Sequence, residues 1–155
     1  MSSGYTRLTA PTPQTFIGTV SNGGNKLSVG AVIPFNFVTD PTQPNLTVPY
    51  LRVPPSEKWL VYQVYVPSSP SIDGLVKIKI NGIDQNVQWG PLSQTVPSQY
   101  HVVAQNSQVL AQPNDEVSFQ LVLTNAVNTT ATVTQTVYFN VMRMPKNYRG
   151  KIILG

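Results

Sequence analysis

The chain has 155 residues and a formal net charge of +4, and charged residues make up only 10% of it. An average soluble domain carries roughly 25%. The absence of cysteine excludes a disulfide framework and a thiolate metal site. His101 is the only histidine, and no catalytic motif surrounds it. We therefore expect a protein that is not an enzyme.

The first segment, residues 1–14, is predicted to be an extended arm because Pro11 and Pro13 oppose regular structure. It lacks the basic start and apolar centre of a signal peptide. No apolar run approaches the roughly 18 residues of a membrane-spanning helix. Low charge with abundant Thr, Asn and Gln is nevertheless typical of extracellular proteins. A virus particle, built in the cytoplasm and released, reconciles these observations, as does a signal peptide that has been removed.

The N-terminal half contains four predicted strands separated by turn residues. Gly30 and Pro34 interrupt the second strand and indicate a bulge or an edge position. The fourth strand follows a turn at Pro54–Glu57 and is apolar on both faces, with Trp59 and Tyr65 on the same face. This pattern predicts cover by the opposite sheet on one side and by an arm or neighbouring subunit on the other. The four runs are Thr15–Val20, Leu27–Val38, Thr47–Val53 and Trp59–Val66.

In the C-terminal half, Lys77 and Lys79 alternate with apolar residues, which is the pattern of a half-buried strand. Asn81-Gly82 comes next and predicts a hairpin, since both residues tolerate the positive φ of a type I′ turn. Pro145 ends the last strand. The runs are Val76–Ile80, Ile83–Trp89, Gln99–Ala104, Gln105–Leu110, Val117–Leu123 and Ala131–Met142.

These strand runs, with no helix among them, predict an all-β fold of two antiparallel sheets packed as a β-sandwich. A jelly roll of about eight strands is the favoured path, and an immunoglobulin-like sandwich is the alternative. The predicted organisation is an extended N-terminal arm (1–14), a β-sandwich domain (15–143) and a basic C-terminal tail with an apolar end (144–155).

No residue pattern predicts a catalytic, cofactor or metal site. The six acidic residues mostly stand where turns are expected, which is a common position for Asp. Among the aromatic residues, Trp59 and Tyr65 are assigned to the core. Trp89, beside Gly90-Pro91 at a strand end, and Tyr100 are the candidates for contact with a ligand.

The C-terminal tail concentrates the positive charge. It is predicted to contact a neighbouring subunit, because its apolar end would be exposed in a free monomer. A solvated terminus is one alternative. Contact with nucleic acid or an anionic membrane is the other, and it could occur only through this tail. The predicted contact residues are Arg143, Lys146, Arg149, Lys151, Ile152, Ile153 and Leu154.

A proline-bearing arm, about eight strands, polar loops and an apolar-ended tail together resemble the small single-jelly-roll capsid, penton or decoration proteins of double-stranded DNA viruses. The resemblance spans the whole chain and contains no diagnostic motif. It implies a virion structural protein that self-assembles through its subunit interfaces. Its partners would be copies of itself and another capsid protein, with no small-molecule substrate or cofactor.

Two other classes remain open. A carbohydrate- or receptor-binding β-sandwich, from a viral fibre or a secreted protein, would be extracellular and would bind through exposed aromatic side chains. A pilus or surface-layer subunit would assemble into open-ended filaments or sheets.

Overall fold

The computed structural model describes residues 8–40, 42–66, 70–93 and 108–152. Within these ranges the chain forms eleven β-strands and no helix, as expected for a sequence rich in β-branched and aromatic residues. The strands are β1 (Thr12–Ser21), β2 (Val32–Pro34), β3 (Asn36–Val38), β4 (Thr47–Val48), β5 (Leu51–Arg52), β6 (Glu57–Tyr65), β7 (Gly74–Ile80), β8 (Ile83–Leu92), β9 (Val109–Ala111), β10 (Glu116–Leu123) and β11 (Thr134–Pro145).

The strands form two antiparallel sheets. One has six strands in the order β4-β3-β1-β11-β6-β9, and the other has the order β2-β10-β7-β8, with β5 also paired to β10. Strands β2 and β5 pair with different ends of β10 and share one position in the sheet. The short strands β3 and β4 extend the first sheet beyond β1. Without them, the remaining eight positions, numbered along the chain, lie in the orders 1-8-3-6 and 2-7-4-5, which is the jelly-roll path. The predicted antiparallel β-sandwich is confirmed.

The hairpin predicted at Asn81-Gly82 is also confirmed. Asn81 has a φ of 52° and Gly82 a φ of 79°, and the turn joins Ile80 to Ile83 as paired residues. Few residues other than glycine and asparagine tolerate two successive positive φ angles, so the residue pair Asn81-Gly82 was enough to predict this turn.

The predicted strand Leu27–Val38 is divided between the two sheets. Its middle part, β2, lies at the edge of the five-stranded sheet, as Pro34 indicated. The N–H of Phe35 donates to the Phe119 carbonyl at 2.9 Å, and the next residue, Asn36, pairs with β1 in the other sheet. The chain therefore crosses from one sheet to the other within three residues.

The expectation that Trp59 and Tyr65 share a face of β6 is wrong. The pairing with β11 shifts register between Asn140 and Val141, so a bulge reverses the alternation along β6. Trp59 stays in the core, while Tyr65 turns outward and meets Tyr138 edge-on, with ring centroids 5.1 Å apart.

A cluster of phenylalanines fills the space between the sheets. Phe35, Phe37, Phe119 and Phe139 are fully buried, and the centroids of Phe119 and Phe139 are 4.2 Å apart. Gly18 of β1 faces this cluster, and a Cβ on it would lie 2.8 Å from Phe139 and 3.0 Å from Phe37. Since protein cores are close-packed, the rings need a residue without a side chain at this position.

Gly18→Ala is expected to lower the free energy of unfolding by about 1 to 3 kcal/mol, because the added methyl overpacks the core. Thr19→Ala, on the opposite face of the same strand, is the matched control and should change it by less than about 0.5 kcal/mol. Urea denaturation followed by tryptophan fluorescence measures both. Equal effects of the two substitutions would contradict close packing of the rings against β1.

Candidate functional site

The charged residues of the six-stranded sheet lie at one end of it. Within its described strands only Glu57, Lys58 and Arg143 are charged. They occupy adjacent rungs of the ladder, since Glu57 pairs with Pro145, Lys58 with Met144, and Trp59 with Arg143. The rest of this sheet carries no charged side chain.

The side of this sheet that points away from the sandwich is here called the outer face. It carries one charged side chain, Lys58, at its end, and is otherwise made of neutral side chains. Tyr65 and Tyr138 contact each other on it. A chain of hydrogen bonds runs across three strands, from the Thr15 hydroxyl to Asn140 (2.6 Å) and from the Asn140 amide to Gln63 (2.8 Å). The outer face comprises Thr15, Ile17, Thr19, Leu60, Gln63, Tyr65, Leu110, Tyr138 and Asn140.

The five-stranded sheet presents a different surface. On β7, Lys77 and Lys79 point outward and alternate with buried Val76 and Ile78. Lys77 forms an ion pair with Asp84 of β8 at 3.3 Å. Charge thus lies along this side of the sandwich, whereas the outer face of the six-stranded sheet, apart from its end at Lys58, can be covered without removing a charge from water.

An open edge adjoins the outer face. Residues Thr12–Ile17 of β1 pair with β11 on one side. On the other side β3 pairs with β1 only at Gly18 and Thr19. Among the described residues, β11 is therefore the only strand paired with Thr12–Ile17.

A groove of about 730 Å³ lies beside this edge. One wall is β1, and the other is the segment 50–55, which crosses from one sheet to the other. Two apolar side chains at the groove are partly exposed, Ile17 at 44% and Tyr50 at 37%. The floor includes Trp59, whose ring stacks on Phe16 with centroids 5.1 Å apart. The lining residues are Gln14, Thr15, Phe16, Ile17, Val38, Thr39, Tyr50, Leu51, Arg52, Val53, Pro54, Pro55, Trp59 and Asn114.

A buried ion pair lies next to the groove floor. The Arg143 guanidinium donates two hydrogen bonds to the Glu57 carboxylate, at 2.8 and 2.7 Å, and a third to the Gln14 side chain at 2.8 Å. The Trp59 indole N–H donates to the same carboxylate at 2.9 Å. The side chain of Glu57 is only 1% exposed and that of Arg143 is 12% exposed, so both charges depend on these partners.

Burial alone raises the pKa of the Glu57 carboxyl. The hydrogen bonds from Arg143 and Trp59, together with the positive charge of Arg143, outweigh this effect and leave the pKa below its ordinary value of 4.5. Glu57 is therefore ionised at neutral pH.

The other acidic side chains were predicted mostly at turns. Asp40 and Asp115 lie outside the strands and confirm this, because each accepts a hydrogen bond from a backbone N–H two or three residues away. Asp84 instead lies in β8. Glu57 closes the predicted turn at Pro54–Glu57, since its N–H donates to the Pro54 carbonyl at 3.1 Å, but it also begins β6 and its side chain faces the core. Alternate residues of a strand share a face, so a strand that starts at Glu57 places Glu57 on the same face as Trp59. The burial of Glu57 could have been predicted from this alternation.

The predicted exposure of Trp89 is wrong, since its side chain is 1% exposed. Trp89 pairs with Val76 of β7, which faces the core, and paired residues point to the same side of a sheet. Tyr100, the other predicted ligand contact, and His101 lie outside the described residues.

The predicted tail residues comprise one strand residue, four exposed residues and two residues outside the described ranges. Arg143 belongs to β11 and is held by Glu57. The exposed residues are Lys146, Arg149, Lys151 and Ile152, whereas Ile153 and Leu154 lie outside the described residues.

Among the described residues, no three His, Asp or Glu side chains group so that they could hold a metal ion. No helix in the described ranges is long and apolar enough to cross a membrane. The chain matches no protein-family model, and a search of curated proteins finds no match to it.

Arg143→Met should lower the free energy of unfolding by about 3 to 5 kcal/mol, because it leaves the Glu57 carboxylate buried without its partner. The double variant Glu57→Leu with Arg143→Met removes both charges and should lose less than Arg143→Met alone. Urea denaturation at pH 7 compares the three proteins. A double variant less stable than Arg143→Met would contradict this assignment.

The same pair predicts a pH dependence. Because the pKa of Glu57 is lower in the folded than in the unfolded chain, its contribution to stability is complete above about pH 4.5 and declines as the pH falls through the lowered value. Between about pH 5 and pH 3 the wild type should lose more stability than the double variant. Parallel losses in the two proteins would show that Glu57 does not titrate in this way. The exposed Asp40 and Asp84 are common to both proteins and cancel in the difference.

Proposed function

We propose that this chain is a structural subunit of a virus particle, as a capsid, vertex or decoration protein that works through its interfaces. The observation that carries the proposal is the outer face of a jelly-roll sandwich, which is uncharged except for Lys58 at its end. Jelly rolls occur in viral capsid proteins and also in lectin domains. The fold is therefore compatible with both a capsid role and glycan binding, and the choice between them rests on the surface of this chain.

The outer face has the composition of a protein interface. Interface centres are poor in charge and rich in aromatic residues, above all tyrosine, and they contain hydrogen-bonding side chains. The face presents Tyr65 and Tyr138 beside a network of neutral hydrogen bonds. Covering the part of the face around these tyrosines leaves no charge unpaired.

In this role the sandwich is a rigid unit, and copies of it pack side by side in the virion after assembly in the host cytoplasm. The exposed basic residues of the tail provide further contacts, and another capsid protein is a further partner. Removal of the arm (1–14) or the tail (144–155) would also remove part of β1 or β11. Because β1 begins at Thr12 and β11 ends at Pro145, point substitutions on the surface now test assembly more cleanly.

A second candidate is a glycan-binding module. The observation that favours it is the groove, where the Arg52 guanidinium lies 5.6 Å from the centre of the exposed Tyr50 ring and Asn114 is close by. An aromatic ring with neighbouring polar donors is a common way to hold a sugar.

Ile17→Lys on the outer face should abolish or strongly weaken self-assembly, because a charge then has to be buried between copies. Ile83→Lys is the matched control: the same change at an isoleucine that is 66% exposed on the other sheet. Light scattering behind size exclusion, followed by electron microscopy of large species, compares both variants with wild type. Urea denaturation verifies that both fold.

Closed oligomers or a lattice that Ile17→Lys removes and Ile83→Lys retains would support the subunit role. Equal assembly by all three proteins would contradict the outer face as the interface. A monomeric wild type that binds a glycan, with loss of binding in Tyr50→Ala, would replace the proposal with the second candidate.

A further inference from the structure

The open edge of β1 is a site for adding a strand. An unpaired edge exposes a row of N–H and C=O groups that another extended segment can pair with. Thr12–Ile17 has β11 on one side and, among the described residues, no strand on the other.

The other edges within the described ranges are less suited to this. Strands β2, β4, β5 and β9 have only two or three residues each. Strand β8 is longer, but its pairing with β7 shifts register twice, between Gly74 and Val76 and between Lys77 and Lys79. It also contains Pro91, which has no N–H to donate. Bulges and prolines are the usual means by which proteins block an edge.

The groove gives the added segment somewhere to place its side chains. Partly exposed Ile17 and Tyr50 flank the open edge, and Leu51 and Val53 are buried at the groove. Its lining residues include no Asp or Glu and one cation, Arg52. The groove therefore suits apolar side chains, whereas a cationic side chain of an added segment has to point away from it.

We propose that the C-terminal segment Gly150–Gly155 of a second copy adds as a strand along Thr12–Ile17 and places its apolar side chains in the groove. This rests on the proposed function, because it names the contact that links neighbouring subunits. It is separate from packing of the outer face.

The segment fits the site in length and chemistry. It has six residues, as does the open stretch of β1. Its sequence Lys151-Ile152-Ile153-Leu154 supplies β-branched and apolar side chains, which are favoured in strands. Ile152, the last described residue, is 36% exposed in the monomer.

The tether of the tail favours a second copy over the same chain. Lys58 of β6 donates a hydrogen bond to the Tyr148 carbonyl at 2.7 Å, and the Tyr148 hydroxyl donates to the Lys151 carbonyl at 2.7 Å. A strand added to β1 would lie three strand positions from β6, about 14 Å away. Residues 150–152 of the same chain remain on this tether and belong to no strand, so the edge is left for the tail of a second copy.

The test uses a synthetic peptide of residues 146–155 and the full chain at a concentration where it is monomeric. Hydrogen exchange with mass spectrometry should show amide exchange in residues 12–17 slowed about tenfold or more by the peptide, because strand addition protects edge amides. Residues 83–92, the edge strand β8, are the internal control and should not change. A peptide N-methylated at Ile152, Ile153 and Leu154 cannot form the backbone pairing and should give no protection.

Each other outcome overturns the inference in a distinguishable way. No protection by the peptide, in a chain that still assembles and responds to Ile17→Lys, removes the strand addition and leaves the proposed function standing. Protection of residues 12–17 in the monomer that disappears when 150–155 are deleted means that the tail docks on its own chain. Equal protection by the methylated peptide means that binding is not strand addition.

Discussion

The ion pair between Glu57 and Arg143 joins the three central strands of the six-stranded sheet at the end where the groove opens. Arg143 is on β11, Glu57 is on β6, and Gln14 on β1 accepts a third hydrogen bond from the same guanidinium. Because planar guanidinium groups bind carboxylates with fixed geometry, this contact sets the position of β1 as well as neutralising the charge. The open edge and the floor of the groove, with Trp59 bonded to Glu57, depend on it.

Sequence patterns predicted the structural features that depend on residues close together in the chain. The Asn81-Gly82 hairpin and the alternation of β7 follow from backbone angles and a two-residue period, which neighbours along the chain determine. The outward turn of Tyr65 could not be predicted in this way, because the bulge in β6 arises from its register with β11. The burial of Trp89 likewise follows from its pairing with Val76, a residue 13 positions earlier in the sequence.

The candidate site shows the same division. The neutral character of β1 and of β11 up to Met142 is visible in the sequence, and the double-sided apolar pattern of β6 predicted a covered outer side. The open edge is not visible there, because it depends on how soon β3 leaves β1 after Gly18 and Thr19. The groove opposite it is made by the crossing segment 50–55, which the sequence showed as part of a strand and a turn. Both features are products of tertiary structure.

The outer face and the open edge of β1 would contribute different properties to an assembly, and neither alone would provide both. A neutral face of Thr, Tyr, Asn and Gln side chains is easily covered, but it has no charge pattern to select a partner or fix an orientation. Backbone pairing along an edge is directional, since a slip by one residue turns every side chain to the wrong face. In an assembly that uses both, the outer face would contribute buried area and the edge of β1 would fix the register. The five-stranded sheet, with Lys77, Lys79 and Asp84, would then be the side left in contact with water.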